Sequence, residues 1–340
     1  MKKVKVKDIA QAAGVSPSAV SLVLNHKPSR LSEATKEKIL RVAREMEFQS
    51  EYAVETQAYK RVYTLGLVLP TLTDPFYNEI AIHVQQYANA KDYIVFLCMD
   101  DDDVSRCCST IESLAMKNVD GLILVSPSAD DKEERLAKML KALQNSNFPM
   151  VLLDRAVYSV FCDFVTTDNK YGGKAATQYL VERGHRKIGC LTGPEKLYTA
   201  RKRMQGYREG LASAKIPFSE QLVYRSELSK EDGAKGAEIL YDQGCTAIFA
   251  ANNLLTEGAI EFAEQHHLQM PDELEVVGYD AKSRVTSICQ NTMLMAEKSV
   301  DLVLEQIRLG TKEIPPRNFY ITPTLEAASG LGLRDWEEAR

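Results

Sequence analysis

From residue 62 onward, short apolar runs alternate with longer amphipathic stretches, and this alternation restricts the fold more than any other feature. The runs are YTLGLVLP (63–70), YIVFLCM (93–99), GLILVSP (121–127), MVLLD (150–154), FVTTD (164–168), KIGCLTG (187–193), TAIFAAN (246–252) and LEVVGYD (274–280). Between them lie helical patterns such as NEIAIHVQQYANA, CCSTIESLAMK, KYGGKAATQYLVERG, KRMQGYREGLASA, EDGAKGAEILYDQG and TEGAIEFAEQHH. Strands apolar on both faces, separated by helices, predict parallel sheets covered on both sides. The length of 340 residues allows two such sheets, each a doubly wound layer. Ligands of these folds bind beyond the carboxyl ends of the strands. Those ends carry Asp74, Asp154, Asp168, Asn252 and Asp280, so polar groups converge where a cleft is expected.

The first 48 or so residues follow a different period. Val6, Ile9, Ala10 and Ala13 share one helix side, and Gly14 can supply the left-handed residue that ends it. In VSPSAVSLVLN, Ser16 can cap a second helix and Pro17 suits its first position. Val20, Val23 and Leu24 form an apolar stripe, while Ser18, Ser21, Leu22 and Asn25 form an uncharged opposite face. A third helix begins at Ser32 and presents Ile39, Val42, Ala43 and Met46. Two helices joined by a tight glycine turn, with a third behind them, predict a helix-turn-helix. The polar segment QSEYAVETQAYKR (49–61) separates this unit from the rest.

Charge supports the division. The first 50 residues carry ten Lys+Arg and five Asp+Glu, and the remainder carries a net −10. A basic segment on an acidic body points to a polyanionic partner. The start of the chain lacks an apolar signal region, and no run of about 18 apolar residues occurs, so a cytoplasmic protein is expected. Seven scattered cysteines without a CxxC predict reduced thiols rather than a disulfide framework or metal clamp. The sequence offers no nucleophile–base pair, metal cluster or phosphate loop, so an enzyme and any bound cofactor are not expected. The run Asp100–Asp103 reads as a solvated loop, His266–His267 as surface, and the HRK of RGHRKIG as structural.

Taken in order, KDIAQAAGVSPSAVSLVLN, SEATKEKI, LGLVLPTLTDPFY, VDGLIL, VLLDR, TTDNKYGGKAATQYLVERGHRKIG, RMQGYREGL, AIFAANN and VVGYD resemble the lactose/galactose-repressor (LacI/GalR) family over nearly the whole chain. The resemblance implies an α/β protein: a three-helix helix-turn-helix headpiece (1–49), a hinge (50–61), and a two-lobed, doubly wound core like the periplasmic sugar-binding proteins (62–340). Three chain crossings would join the lobes, near Val160–Asp163, Cys289–Thr292 and Phe319–Pro323. One lobe would then be about 62–160 with 292–321, and the other about 163–289 with 322–335.

The resemblance also implies site residues. Pro17, Ser18, Ser21 and Leu22 fall where relatives touch bases, and Ser16 and Asn25 flank them. Leu22 stands where many relatives carry an arginine that reads guanine, so apolar contact such as with a thymine methyl replaces that readout. Lys5, Lys27 and Thr35 are expected at phosphates, with Lys2, Lys3 and Lys7 as further candidates. In the hinge, Gln57 stands where relatives insert a leucine wedge into the minor groove, with Val54 one turn earlier and Glu51 and Glu55 nearby, so a weaker or different kink is expected.

For an effector, the implied residues are Asp74, Phe76, Tyr77, Arg155, Arg203, Asn252, Asp280 and Gln290. Arginine and aspartate together suit a polyhydroxylated ligand, and an aromatic can stack on a sugar or a base. The expected function is a repressor of operator DNA controlled by a small effector: a sugar or sugar derivative first, a purine corepressor second. A homodimer is expected, without the added C-terminal heptad helix of tetrameric relatives, and a phosphoprotein coregulator is a further partner of such regulators. A solute-binding protein is the alternative outside transcription, disfavoured by the basic headpiece.

Overall fold

The computed structural model describes residues 6–24, 31–32, 35–36, 38–39, 41–42, 62–128, 133–157, 159–281, 284–311 and 315–328. The chain divides into two compact units, Met1–Arg61 and Val62–Arg340. The expected hinge, 50–61, lies outside the described residues.

In the first unit, α1 (Val6–Ala13) and α2 (Pro17–Leu24) are joined by a turn. Gly14 has φ +66°, the left-handed conformation that only glycine takes without cost. It lets the Val15 N–H return to the Ala10 carbonyl at 3.0 Å. The Ser16 hydroxyl accepts from Ala19 N at 3.1 Å and caps α2. Helical backbone recurs at 35–36, 38–39 and 41–42. The core of the unit is Ile9, Ala10, Ala13, Val20, Val23, Ile39 and Val42.

The second unit contains two six-stranded sheets. The first has strand order β11-β5-β4-β3-β1-β2: β1 (Thr64–Leu69), β2 (Ile94–Met99), β3 (Gly121–Leu124), β4 (Met150–Leu153), β5 (Asp163–Thr167) and β11 (Asn318–Ile321). Every pairing in it is parallel. One face buries Leu65, Leu67 and Leu69 against α3 (Pro75–Asn89) and α10 (Thr292–Leu309). The other buries Val68, Leu122 and Leu124 against α4 (Val104–Met116) and α5 (Glu133–Asn145). The second sheet has order β12-β10-β9-β8-β6-β7: β6 (Ile188–Thr192), β7 (Val223–Arg225), β8 (Ala247–Ala250), β9 (Glu275–Tyr279), β10 (Ser287–Cys289) and β12 (Thr324–Glu326). Only β12 runs antiparallel among the described strands. Helices α6 (Asn169–Glu182) and α7 (Tyr198–Ser213) cover one face, with Cys190, Phe249 and Val277 beneath them. Helices α8 (Lys230–Asp242) and α9 (Asn253–Gln265) cover Leu191, Ile248 and Ala250 on the other.

The first crossing differs from expectation. β5 pairs with β4 and β11, so the chain leaves the first lobe after Thr167 rather than at Val160–Asp163. The reason is local. The Asp163 carboxylate accepts from Arg317 N at 2.8 Å and from Gln306 Nε2 at 2.9 Å, both in the first lobe. Phe164 and Val165 pack into that lobe's two core layers. The other crossings fall between Cys289 and Thr292 and between Ile321 and Thr324. The strand expected to be covered on both sides at 93–99 is an exposed edge instead: Ile94 is 64% and Met99 52% exposed. The seven cysteines are all free.

Candidate effector cleft and DNA-facing helix

In the first unit, Ser16, Pro17, Ser18 and Ser21 are exposed along α2, and Leu22 is half-buried. The turn chemistry orients this face: with Val20 and Val23 in the core, the serines can only point away from it. Thr35 has part of its capacity engaged, since its hydroxyl and that of Ser32 lie 2.8 Å apart and its N–H donates to Ser32 Oγ at 3.3 Å. Lys5, Asn25, Lys27, Val54 and Gln57 lie outside the described residues.

In the second unit, a cavity of ≈ 540 Å³ opens between the lobes. Asp74, Phe76, Tyr77, Arg155, Arg203, Asn252, Asp280 and Gln290 all line it. So do Asp154, Asn253, Leu197, Thr199 and Leu228, which the sequence did not assign to a ligand. Asp154 had a signal in its strand-end position; Asn253 and the second-lobe apolar residues had none.

The first lobe contributes a chain of charged contacts. Asp74 caps α3, its Oδ1 accepting from Phe76 N at 3.0 Å. The Tyr77 hydroxyl donates to Asp154 Oδ2 at 3.1 Å. The Arg155 guanidinium lies 5.6 Å from the centre of the Tyr77 ring and donates to Asp102 Oδ1, to Ser128 Oγ at 3.0 Å and to the Ser126 carbonyl at 3.3 Å. The acidic run thus is not a solvated loop throughout. Asp100 is 0% exposed, and Asp102 anchors the cleft arginine. Burial pushes the Asp100 carboxyl up to about 6. Burial also acts to raise Asp102, but the Arg155 charge and hydrogen bonds outweigh it and hold the carboxyl below the ordinary value.

The second lobe supplies the opposite wall. Arg203 donates from Nε to Asn169 Oδ1 and from Nη1 to the Ala251 carbonyl, both at 2.7 Å. Its guanidinium lies 3.4 Å from the centre of the Tyr279 ring. Gln290 donates from its backbone N to Asp280 Oδ1 at 2.8 Å and from Nε2 to Asp280 Oδ2 at 2.6 Å. The Asn252 oxygen caps α9, accepting from Leu254 N at 2.9 Å and Leu255 N at 3.2 Å. Burial pushes the Asp280 carboxyl up to about 6 against the Arg203 charge, and burial likewise raises Asp154. Both aspartates end a strand with positive φ, +64° at Asp154 and +55° at Asp280. Left-handed backbone at a non-glycine costs energy and recurs where side chains are aimed at ligands.

Both guanidiniums are held by protein acceptors, while the Arg155 Nε is buried without a hydrogen-bond partner among the described residues. The Asp154 Oδ1 and Gln290 Oε1 atoms are buried without a hydrogen-bond partner among the described residues. The cleft therefore still offers two acceptors and one donor.

A helix-turn-helix unit followed by a two-lobed core with a polar inter-lobe cavity defines a ligand-responsive, DNA-binding regulator. The periplasmic binding proteins and sugar binding domain of the LacI family match residues 63–313, and the bacterial regulatory proteins of the lacI family match residues 5–51. The chain belongs to the LacI family of DNA-binding transcriptional regulators, which includes repressors controlled by small molecules. Similar relatives include the ribose operon repressor of Haemophilus influenzae, 29% identical over 89% of this chain and 92% of its own. The transcriptional repressor PurR of Photobacterium profundum is 27% identical over 94% and 96%. Among solved structures, the transcriptional regulator CelR–cellobiose complex has a TM-score of 0.70 at 27% identity, covering 95% of this chain and 98% of that one. The lac repressor dimer bound to operator shares the fold, with a TM-score of 0.68 at 24% identity over 97% and 100%. Among the described residues no helix is long and apolar enough to cross a membrane, and no cluster of metal-ligating side chains occurs.

Proposed function

We propose that this regulator is a repressor whose effector is a neutral, hydroxyl-rich molecule, a sugar or sugar derivative, held in the inter-lobe cavity by Asp74, Asp154, Arg155, Arg203, Asp280 and Gln290. One observation carries this reading: among the described residues the cleft holds buried, unpartnered polar atoms of both kinds, the Asp154 Oδ1 and Gln290 Oε1 acceptors and the Arg155 Nε donor, as a hydroxyl that both donates and accepts requires. Sugar hydroxyls are donors, and each one that meets a buried unpaired oxygen relieves a cost of about 1–3 kcal/mol. An anionic ligand would instead face the three carboxylates of Asp74, Asp154 and Asp280. Phe76 lines the cavity, so a purine base could stack there, and relatives named PurR keep a purine corepressor as the second reading.

In this reading the domains are a headpiece (1–49), a hinge (50–61) and the effector core. Ser18, Ser21 and Leu22 of α2 read bases. Two copies associate through the edge strand β2, whose Ile94, Phe96, Leu97 and Met99 are exposed and whose outer edge has no partner strand among the described residues. A chain that regulates DNA acts in the cytoplasm of its cell.

The test is a thermal-shift panel of neutral sugars, acidic sugars and nucleobases. Stabilisation by a neutral sugar that Asp280→Asn abolishes supports the reading. Stabilisation by purine bases alone replaces it with the corepressor reading.

A further inference from the structure

Beside the cleft, the second lobe has another cavity, of ≈ 780 Å³. Arg201, Lys202, Gln205 and Arg208 of α7 form one wall. Thr192 and Arg225 come from the sheet. These two are register partners on the parallel neighbours β6 and β7, so their side chains leave the sheet on the same side. That side is the one under α7, because Cys190 and Val223, two residues back on each strand, pack with Met204 and Tyr207.

The Thr192 hydroxyl is the anomaly. The residue is 2% exposed, and its Oγ1 has no hydrogen-bond partner among the described residues. Around it the charge is one-sided. Four cations line the cavity, with Glu195 as the acid among them. Glu220 sits beside them, pairing with Arg225 and lying 3.6 Å from Arg208. Arg201 is held in place by the Glu195 and Lys196 carbonyls, both at 2.9 Å. Glu209, one turn past Gln205, is taken by Lys170 at 3.0 Å. Even with Glu195 and Glu220 counted, two positive charges remain.

We propose that this cavity binds the phosphate group of a small metabolite, at a site separate from the effector cleft. Guanidinium forks match phosphate oxygens in pairs, and a buried hydroxyl can donate to a third. The cavity is concave and built under a helix, which suits a small anion. Gly193 and Ala200 line both cavities, so the β6–α7 connection is the partition between them. Arg208, Arg225 and Thr192 line only the outer one, which makes them the residues to vary.

The experiment is calorimetric titration of the full chain with inorganic phosphate, against sodium chloride at matched ionic strength. Saturable phosphate binding is expected, weakened about tenfold in Arg225→Gln and in Arg208→Gln, the loss of one charge-assisted hydrogen bond each. Thr192→Val should weaken phosphate while raising Tm in phosphate-free buffer, since it removes an unpaired buried hydroxyl. Each variant's response to the cleft effector should match the wild type, which also confirms that it is folded. Phosphate heats equal to those of chloride, or a phosphate affinity unchanged in both arginine variants, would overturn the proposal.

Discussion

Asp74 and Asn253 meet across the cleft: the Asn253 amide donates from Nδ2 to Asp74 Oδ1 at 2.9 Å, joining residues 179 positions apart on opposite lobes. The same Asp74 oxygen caps α3. One carboxylate therefore both starts a helix of the first lobe and latches the second lobe to it. Tyr198, at the start of α7, makes a second cross-lobe contact, its ring edge-on to Phe164 of β5 at 5.8 Å.

Asn253→Ala removes the latch, and with it the Asn253 Oδ1 contact to Leu254 N at 2.9 Å, while Asn252 still caps α9. A net hydrogen bond is worth about 1 kcal/mol, so effector affinity should fall about fivefold with little loss of Tm. Small-angle scattering of the ligand-free core should show a larger radius of gyration. An unchanged radius and affinity would mean that the bond does not hold the lobes.

Asp280 gives a pH dependence with a definite sign. Its ordinary value is 3.8 and its folded value about 6, so the folded state holds this proton more tightly. The contribution is fully present below 3.8 and is lost as pH rises through about 6. Asp280→Asn has no such group. The variant should gain stability relative to the wild type between pH 4 and about 6, measured as the difference in chemical-denaturation midpoints. A difference that stays flat with pH would contradict the buried, raised carboxyl.

Gly173 lets Arg203 reach the cleft. A Cβ built on Gly173 would lie 2.1 Å from the Arg203 carbonyl, a backbone atom that cannot swing away. Gly173→Ala must push α7 off α6, at a cost of about 1–3 kcal/mol for overpacking. The expected result is a lower Tm together with a loss of effector affinity greater than the lowered Tm explains. Arg203 would lose its 2.7 Å bond to Asn169, which α6 carries. Unchanged effector affinity in the folded fraction would show that Arg203 is placed by other contacts.

Leu22 governs operator choice in this account. Leu22→Arg should shift the half-site toward guanine at the base pair it faces, by about 1–3 kcal/mol of discrimination in a binding-site selection. An unchanged preference would remove Leu22 from the reading face.

The cleft was readable because strand ends announce themselves: an apolar run that stops at an aspartate or asparagine marks a polar rim. Of the strand-end residues Asp74, Asp154, Asp168, Asn252 and Asp280, all but Asp168 line one cavity, and the eight effector residues that the family resemblance implied line it too. What escaped depends on long-range packing. Asn253 looks like an ordinary first residue of a helix until the opposite lobe is present. FVTT reads equally well in either sheet, and what ties Asp163 to the first lobe is its pairing with β4 and its contacts with Arg317 and Gln306, about 150 residues later. β7, β10, β11 and β12 span three or four residues each, too few to show a period. The exposed β2 edge reads as a core strand, since apolar composition does not distinguish a core from an interface.

The most direct measurement is effector affinity with and without a selected operator duplex, by titration calorimetry at fixed salt. Coupling between cleft and headpiece must be reciprocal. The account predicts that a neutral sugar binds with a different Kd when operator is present, and that the same factor appears in operator affinity when the sugar is present. Identical effector affinities with and without operator would contradict it.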